Sequence, residues 1–146
     1  MSDPNRFKDN QDGTLTDTKT TLMWLREDGW QRDGKWFSWD EAKDWYIDMN
    51  AIKFCGFQDW KLPNEDEILT LYNPEEINKD KYGNEIYLET VFPPGAQATI
   101  WLQGESGQDG TIFDFKNGET RPLHKSRTGR MSVRLVRGNI PRKTGP

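Results

Sequence analysis

Nucleophilic chemistry in this chain has little to start from: one thiol, Cys55, and one imidazole, His124. A cysteine next to a histidine is readily activated as the thiolate. These two are far apart in sequence, and free cysteine is among the most often buried residue types. The expected arrangement is a buried thiol at a helix end and a surface imidazole, with no catalytic residue. One Cys and one His cannot assemble a zinc site. No Gly-x-Gly-x-x-Gly or P-loop motif is present, and no cofactor or metal is expected. The stretch Asn10–Asp17 looks superficially like a calcium loop. Taking Gly13 as its turn glycine puts Lys8 where the first acidic ligand belongs, so it reads as a turn. The carboxylate pairs Asp40/Glu41 and Asp66/Glu67 could do acid–base work, yet both stand where helix starts attract negative charge.

Binding chemistry is better supplied. His124, Lys125, Arg127, Arg130, Arg134, Arg137, Arg142 and Lys143 form a basic set late in the chain. Clustered arginines suit bidentate capture of carboxylate, sulfate or phosphate. Of this set, Lys125, Arg127 and Arg130 are the candidate ligand residues. Arg134 and Arg137 read instead as a solvated strand face paired with the acidic first half. Among the seven Trp, Trp24, Trp39, Trp45 and Trp60 occupy core-like positions. Trp30 and Trp36 lie in a polar loop, free to stack on a glycan or anchor a protein interface. Trp101 is open between core and ligand face, and Gln103 follows it into a loop.

These residues must be positioned by a recognisable set of elements. Asp12-Gly13 predicts a hairpin turn within Phe7–Trp24. Ser38-Trp39-Asp40-Glu41 is a capping box, and Ala42, Trp45, Met49 and Ile52 continue it as one helical stripe that Gly56 ends. In Leu62-Pro63-Asn64, Pro63 holds Leu62 extended. Asn64 caps a second helix, with Glu67 as its capping partner and Ile68, Leu69, Leu71 and Tyr72 on the buried side. Glu27–Lys35 reads as a polar loop and Pro74–Tyr87 as a surface insertion. Strands are expected at Ala98–Leu102 and Thr111–Phe115, with a turn at Asn117-Gly118. Met131–Val136 alternates, placing Met131, Val133 and Leu135 on one face and Arg134 on the other.

The 146 residues suit one domain, 1–146, with a core over about 7–138. Hydrophobic content is 33%, but 12% aromatics supply large buried area per residue. The net charge of −4 is unevenly distributed: from Phe92 onward nine Lys and Arg meet four Asp and Glu, against 11 and 20 before it. That asymmetry fits packing of the two halves against each other, or self-association. The pI of about 5.1 argues against a general nucleic-acid binder. A single cysteine fits a reducing compartment. The first residues have no apolar signal region and no apolar run could span a bilayer, so a cytoplasmic location without membrane insertion is expected.

Taken in order, Asp12-Gly13-Thr14 with Asp17-Thr18, Leu22-Met23-Trp24, Trp39 with Glu41-Ala42, Asp59-Trp60-Lys61-Leu62-Pro63-Asn64 with Glu67, and the closing Val133–Arg137 resemble the bacterial Lcl C-terminal-like domain family. The likeness runs from about Phe7 to Gly138. It implies an α+β, C-type-lectin-like fold with two helices and a twisted antiparallel sheet closed by the N- and C-terminal strands. Three departures stand out. Members often carry a cysteine in the first helix and another in the closing strand, resembling a disulfide; this chain has Tyr46-Ile47 and Leu135 there. Ile100-Trp101-Leu102-Gln103 replaces a usual Trp-Ser-Ser-like strand near the variable ligand face. No collagen-like stalk is present, which weakens transfer of the sulfated-glycan adhesin role known for some members. The related formylglycine-generating fold resembles a two-cysteine, copper-using chemistry that one cysteine cannot reproduce. The resulting expectation is a non-catalytic module, not an enzyme, that binds a protein partner through the Trp30–Trp36, Gln103–Gly110 and His124–Arg130 loops as a structural subunit of an assembly. Carbohydrate binding is the alternative.

Overall fold

The Asp12 carboxylate accepts from the Thr14 N–H and hydroxyl at 3.0 and 2.6 Å, and Gly13 takes a φ of +96°. Glycine reaches that conformation without steric cost, so the chain reverses here. In the computed structural model, which describes residues 5–104 and 107–139, this turn joins β1 (Phe7–Asp9) to β2 (Thr14–Asp17). A second polar turn leads into β3 (Met23–Leu25). The last strand, β10 (Val136–Arg137), pairs with β3, so the sheet order is β1-β2-β3-β10. The first and last strands therefore share one sheet without touching each other. Leu15 and Val136 both lie in register with Trp24.

Three α-helices follow among the described residues, not two, and each begins with a reciprocal capping box. α1 (Gly29–Asp33) is capped by Asp28 and Gln31, α2 (Trp39–Ala51) by Ser38 and Glu41, and α3 (Glu65–Leu69) by Asn64 and Glu67. α1 lies where a polar loop was expected; its box uses Asp and Gln, and at five residues it is too short to show a period. Gly29 admits no side chain, since a Cβ there would sit 2.5 Å from Phe37. On α2, Ala42, Trp45 and Met49 are buried, but Ile52 is 68% exposed. The helix ends at Ala51, and Lys53, with φ +53°, is the first left-handed residue after it, three positions before Gly56. Leu69 likewise points to solvent while Ile68 and Leu71 are buried. The segment after α3 is more than an excursion. β4 (Asn78–Lys79) and β5 (Glu85–Ile86) form a small ribbon whose Asn78, Asp80 and Ile86 are buried.

The second large sheet has the order β8-β7-β6-β9, built from β6 (Thr99–Trp101), β7 (Asp109–Asp114), β8 (Glu119–His124) and β9 (Met131–Ser132). Its β6–β9 pair is parallel, a departure from the all-antiparallel expectation. The expected single strand over Met131–Val136 is split between the two sheets as β9 and β10. Between them, Val133 O accepts from Gly29 N–H and Leu135 O from Leu25 N–H. This break overturns the expected alternation. Arg134 is 1% exposed, lying inside the protein rather than on a solvated face.

Two apolar clusters fill the interior. One gathers Leu15, Trp24, Ile68, Leu88, Phe92, Phe113 and Phe115; the other holds Trp45, Trp60, Trp101, Val133 and Leu135. Tyr46 packs against the second cluster alongside Leu135, while Ile47 is exposed. Tyr46 and Leu135 thus belong to one apolar cluster where family members often carry cysteines. Trp39, expected in the core, is half-buried. Glu105, Ser106 and the basic tail, including Arg142 and Lys143, lie outside the described residues. No helix is long and apolar enough to cross a membrane among the described residues.

Candidate functional site

The three loops expected to make one ligand face divide into two clusters. The first is organised by the β4–β5 ribbon. Its turn is fixed by Asp80, whose Oδ1 accepts from the Tyr82 and Asn84 N–H groups, both at 2.8 Å. This presents Lys81 and Tyr82 outward. The Lys81 ammonium lies 5.5 Å from the Trp30 ring centroid, and the Trp30 and Trp36 rings are 6.4 Å apart. On the other side of the ribbon, the Arg130 guanidinium sits 4.6 Å over the Tyr82 ring. Trp36, Trp30 and Lys81 therefore form one aromatic–cationic group and Tyr82 with Arg130 another, and the adjacent residues Lys81 and Tyr82 join them into a strip. Trp36 is 41% exposed and Tyr82 44%, while Trp30 is half-buried on α1 with its N–H on Ser132 Oγ. Tyr82 and Arg130 also border a hollow of about 300 Å³ that runs onto the β6–β8 surface.

The second cluster is built around Trp39. The Lys125 ammonium lies 4.1 Å over its ring and Lys43 lies 5.8 Å away. Main-chain bonds hold this arrangement: Trp39 N–H donates to Lys125 O, and Lys125 N–H to Gln108 O. Gln103 joins it by donating from Nε2 to Leu62 O at 3.0 Å. Trp39, Lys43, Tyr46, Lys61 and Gln103 border a second hollow of about 310 Å³. Lys61 is already engaged, 3.0 Å from the buried Glu67 carboxylate.

Of the expected site residues, Trp30, Trp36 and Arg130 come together, and Gln103 and Lys125 come together elsewhere. Arg127 is exposed in a turn closed by its N–H on His124 O. Trp101 must be removed from the ligand face. It is 0% exposed, and its Nε1 donates to Phe37 O at 2.8 Å. Its indole has both an apolar enclosure and a hydrogen-bond partner, the arrangement a core Trp requires. Lys81 and Tyr82 were not anticipated. The Gly83-Asn84 turn after them was the available signal, but two-residue strands carry no readable alternation.

The groups considered for catalysis each have another partner. The Cys55 thiol donates to Asp12 O at 3.2 Å, and burial pushes it up, with the Asp12 carboxylate adding to the shift. His124 Nδ1 lies 2.7 Å from Ser126 Oγ. No group of three or more His, Cys, Asp or Glu is placed to hold a metal ion among the described residues.

Against this geometry, the family model described as the Lcl C-terminal domain matches residues 13–137. The chain belongs to the Lcl C-terminal domain family. The matched span runs from the Gly13 turn to the end of β10, so it takes in all three capped helices, the first large sheet apart from β1, the whole second large sheet and both clusters. No curated protein matches the chain.

Proposed function

We propose that this Lcl C-terminal domain is a non-catalytic binding module, a C-type-lectin-like frame that engages a protein partner through the Trp36–Trp30–Lys81–Tyr82–Arg130 strip. The carrying observation is that these five side chains, from three separate segments, form two stacked groups, Trp36–Trp30–Lys81 and Tyr82–Arg130, joined through the neighbouring residues Lys81 and Tyr82. Trp, Tyr and Arg are the types that dominate binding energy at protein interfaces. Stacking between them also reduces the side-chain freedom lost on association. A role as a structural subunit of a larger assembly, in the reducing cytoplasm that a lone thiol suits, fits the same reading.

A specific observation favours a second reading, carbohydrate recognition. Trp39 flanked by Lys43 and Lys125, with Tyr46 and Gln103 beside it, offers a sugar-stacking ring near cations that suit a sulfated glycan.

Affinity purification from the native host separates these readings. The wild-type chain is expected to retain a stoichiometric protein partner, and Trp36→Ala and Arg130→Ala to lose it. Each truncation of a central anchor should weaken capture by about 2 kcal/mol or more. Their thermal midpoints should stay close to wild type, because both side chains are exposed. A lone protein held on sulfated-glycan resin, with capture lost in Lys125→Ala and retained in Trp36→Ala, would replace the protein reading with the glycan one.

A further inference from the structure

The hollow beside Tyr82 has an excess of positive charge and donors. Lys116, Arg121 and Arg130 border it with only two carboxylates, Asp80 and Asp114. One cation and one carboxylate are already matched, since Arg121 lies 3.2 Å from Asp114 Oδ2. Asp80 is buried, and its Oδ1 accepts two main-chain N–H groups. Arg130 meets the Tyr82 ring rather than a carboxylate. The cavity thus carries one positive charge more than its own acids neutralise. Gln97, Thr99 and Gly129 also border the cavity, and Ala98, Ile112, Leu123 and Met131 add an apolar part to its lining.

We infer that this cavity binds one carboxylate borne on an aliphatic group, and that its occupant is the C-terminal residue of a partner polypeptide. The inference rests on the protein-partner reading of the adjoining strip and names the anchor within it. Arg130 and Lys116 neutralise the terminal carboxylate, and the apolar part of the lining takes the terminal side chain. Recognition of a chain-terminal carboxylate by converging donors is an established mode of peptide capture. A volume of about 300 Å³ is at the small end of ligand pockets, sized for one residue rather than a long segment. The apolar part of the lining favours an aliphatic side chain over the hydroxyl-rich body of a sugar acid.

The test is a titration of the intact ¹⁵N-labelled chain with N-acetyl-leucine, N-acetyl-leucine amide and glucuronate, followed by amide chemical shifts. The free acid should move the signals of Gln97, Thr99 and Gly129 at millimolar concentration. The amide should bind about tenfold more weakly, having lost one charge-assisted contact. Arg130→Gln and Lys116→Gln should each weaken the acid at least about fivefold while keeping a native spectrum. Equal response to acid and amide, shifts confined to other regions, or tighter binding of glucuronate would overturn the inference. Failure of acetyl-leucine to bind, with partner capture still lost in Trp36→Ala, would overturn the cavity assignment and leave the strip assignment standing.

Discussion

Arg134 shows how far a residue's environment can depart from its place in a pattern. Its Nη1 donates to Leu25 O and Arg26 O at 3.0 and 2.9 Å, and its guanidinium lies 4.7 Å over Phe92. Burial lowers its pKa and raises that of Asp28, while attraction between the two opposes both shifts. Asp28 also caps α1 and accepts the Gln97 N–H, so one buried carboxylate ties a helix start, a loop and a cation together. Arg134→Ala would leave that carboxylate without its counter-charge. The expected loss is about 3–5 kcal/mol, read from the urea midpoint, and a loss below about 1 kcal/mol would contradict the assignment.

Asp17 gives the complementary pH prediction. Burial pushes its carboxyl up, but hydrogen bonds from Arg6 at 2.9 and 2.6 Å, with Thr20 and the Lys19 N–H, outweigh that and hold it below 3.8. A carboxyl depressed in the folded state contributes stability above its unfolded pKa and loses it as pH falls through the folded value. Asp28 has the opposite sign: its contribution weakens as pH rises from 3.8 through its raised value. Asp17→Asn should therefore be less stable than wild type at pH 7. It should also lose less of its remaining stability between pH 5 and pH 2, as measured by denaturant midpoints across that range.

At the scale of elements, local side-chain chemistry sets where helices begin. In α3 the Asn64 side chain accepts from Glu67 N–H at 2.8 Å, and the Glu67 carboxylate accepts from Asn64 N–H at 2.9 Å. Glu67 further anchors Lys61, linking the helix start to the bridge between Lys61 and Val136. Asn64→Ala should lower stability by about 1 kcal/mol, the typical value of an N-cap, as a shift in thermal midpoint. A loss well under that would show that the helix is held by packing alone. The β8 edge has a different local safeguard. Lys125 N–H bonds Gln108 O, and Pro122 pairs in register with Thr111. Bonded and non-bonded positions alternate in an antiparallel ladder. Pro122 therefore turns its missing N–H toward the open edge, which makes that edge a poor template for another strand.

Across the whole molecule, the uneven charge distribution is partly used within the fold. Arg134 faces Asp28, and Arg137 reaches Asp59 at 2.7 Å, so the closing segment is matched to acids in the first half. The latter pair is substantially exposed and contributes little by itself. The segment's larger role is topological: β9 completes one large sheet and β10 the other, and Val133 and Leu135 fill the space between. Lys116, Arg130 and Lys81 are left at the surface without a carboxylate partner among the described contacts. They surround Tyr82, where the strip and the cavity meet. The partner-capture experiment belongs to this scale, since it tests a surface assembled from three segments.

The sequence by itself determined the features governed by neighbours along the chain. Asp12-Gly13, Ser38 with Glu41, and Asn64 with Glu67 specify their turn and helix starts because donors and acceptors lie within three residues of each other. Family membership was legible for the same reason, as an ordered series of such local signals. Tertiary structure alone decided which side chains face solvent in short or broken strands. Trp101 went inside, Arg134 was buried where alternation placed it outside, and the β4–β5 ribbon brought Lys81 and Tyr82 to Trp30 and Arg130. Those outcomes depend on contacts between residues tens of positions apart, and a two-residue strand has too few alternating positions to announce which face will be covered.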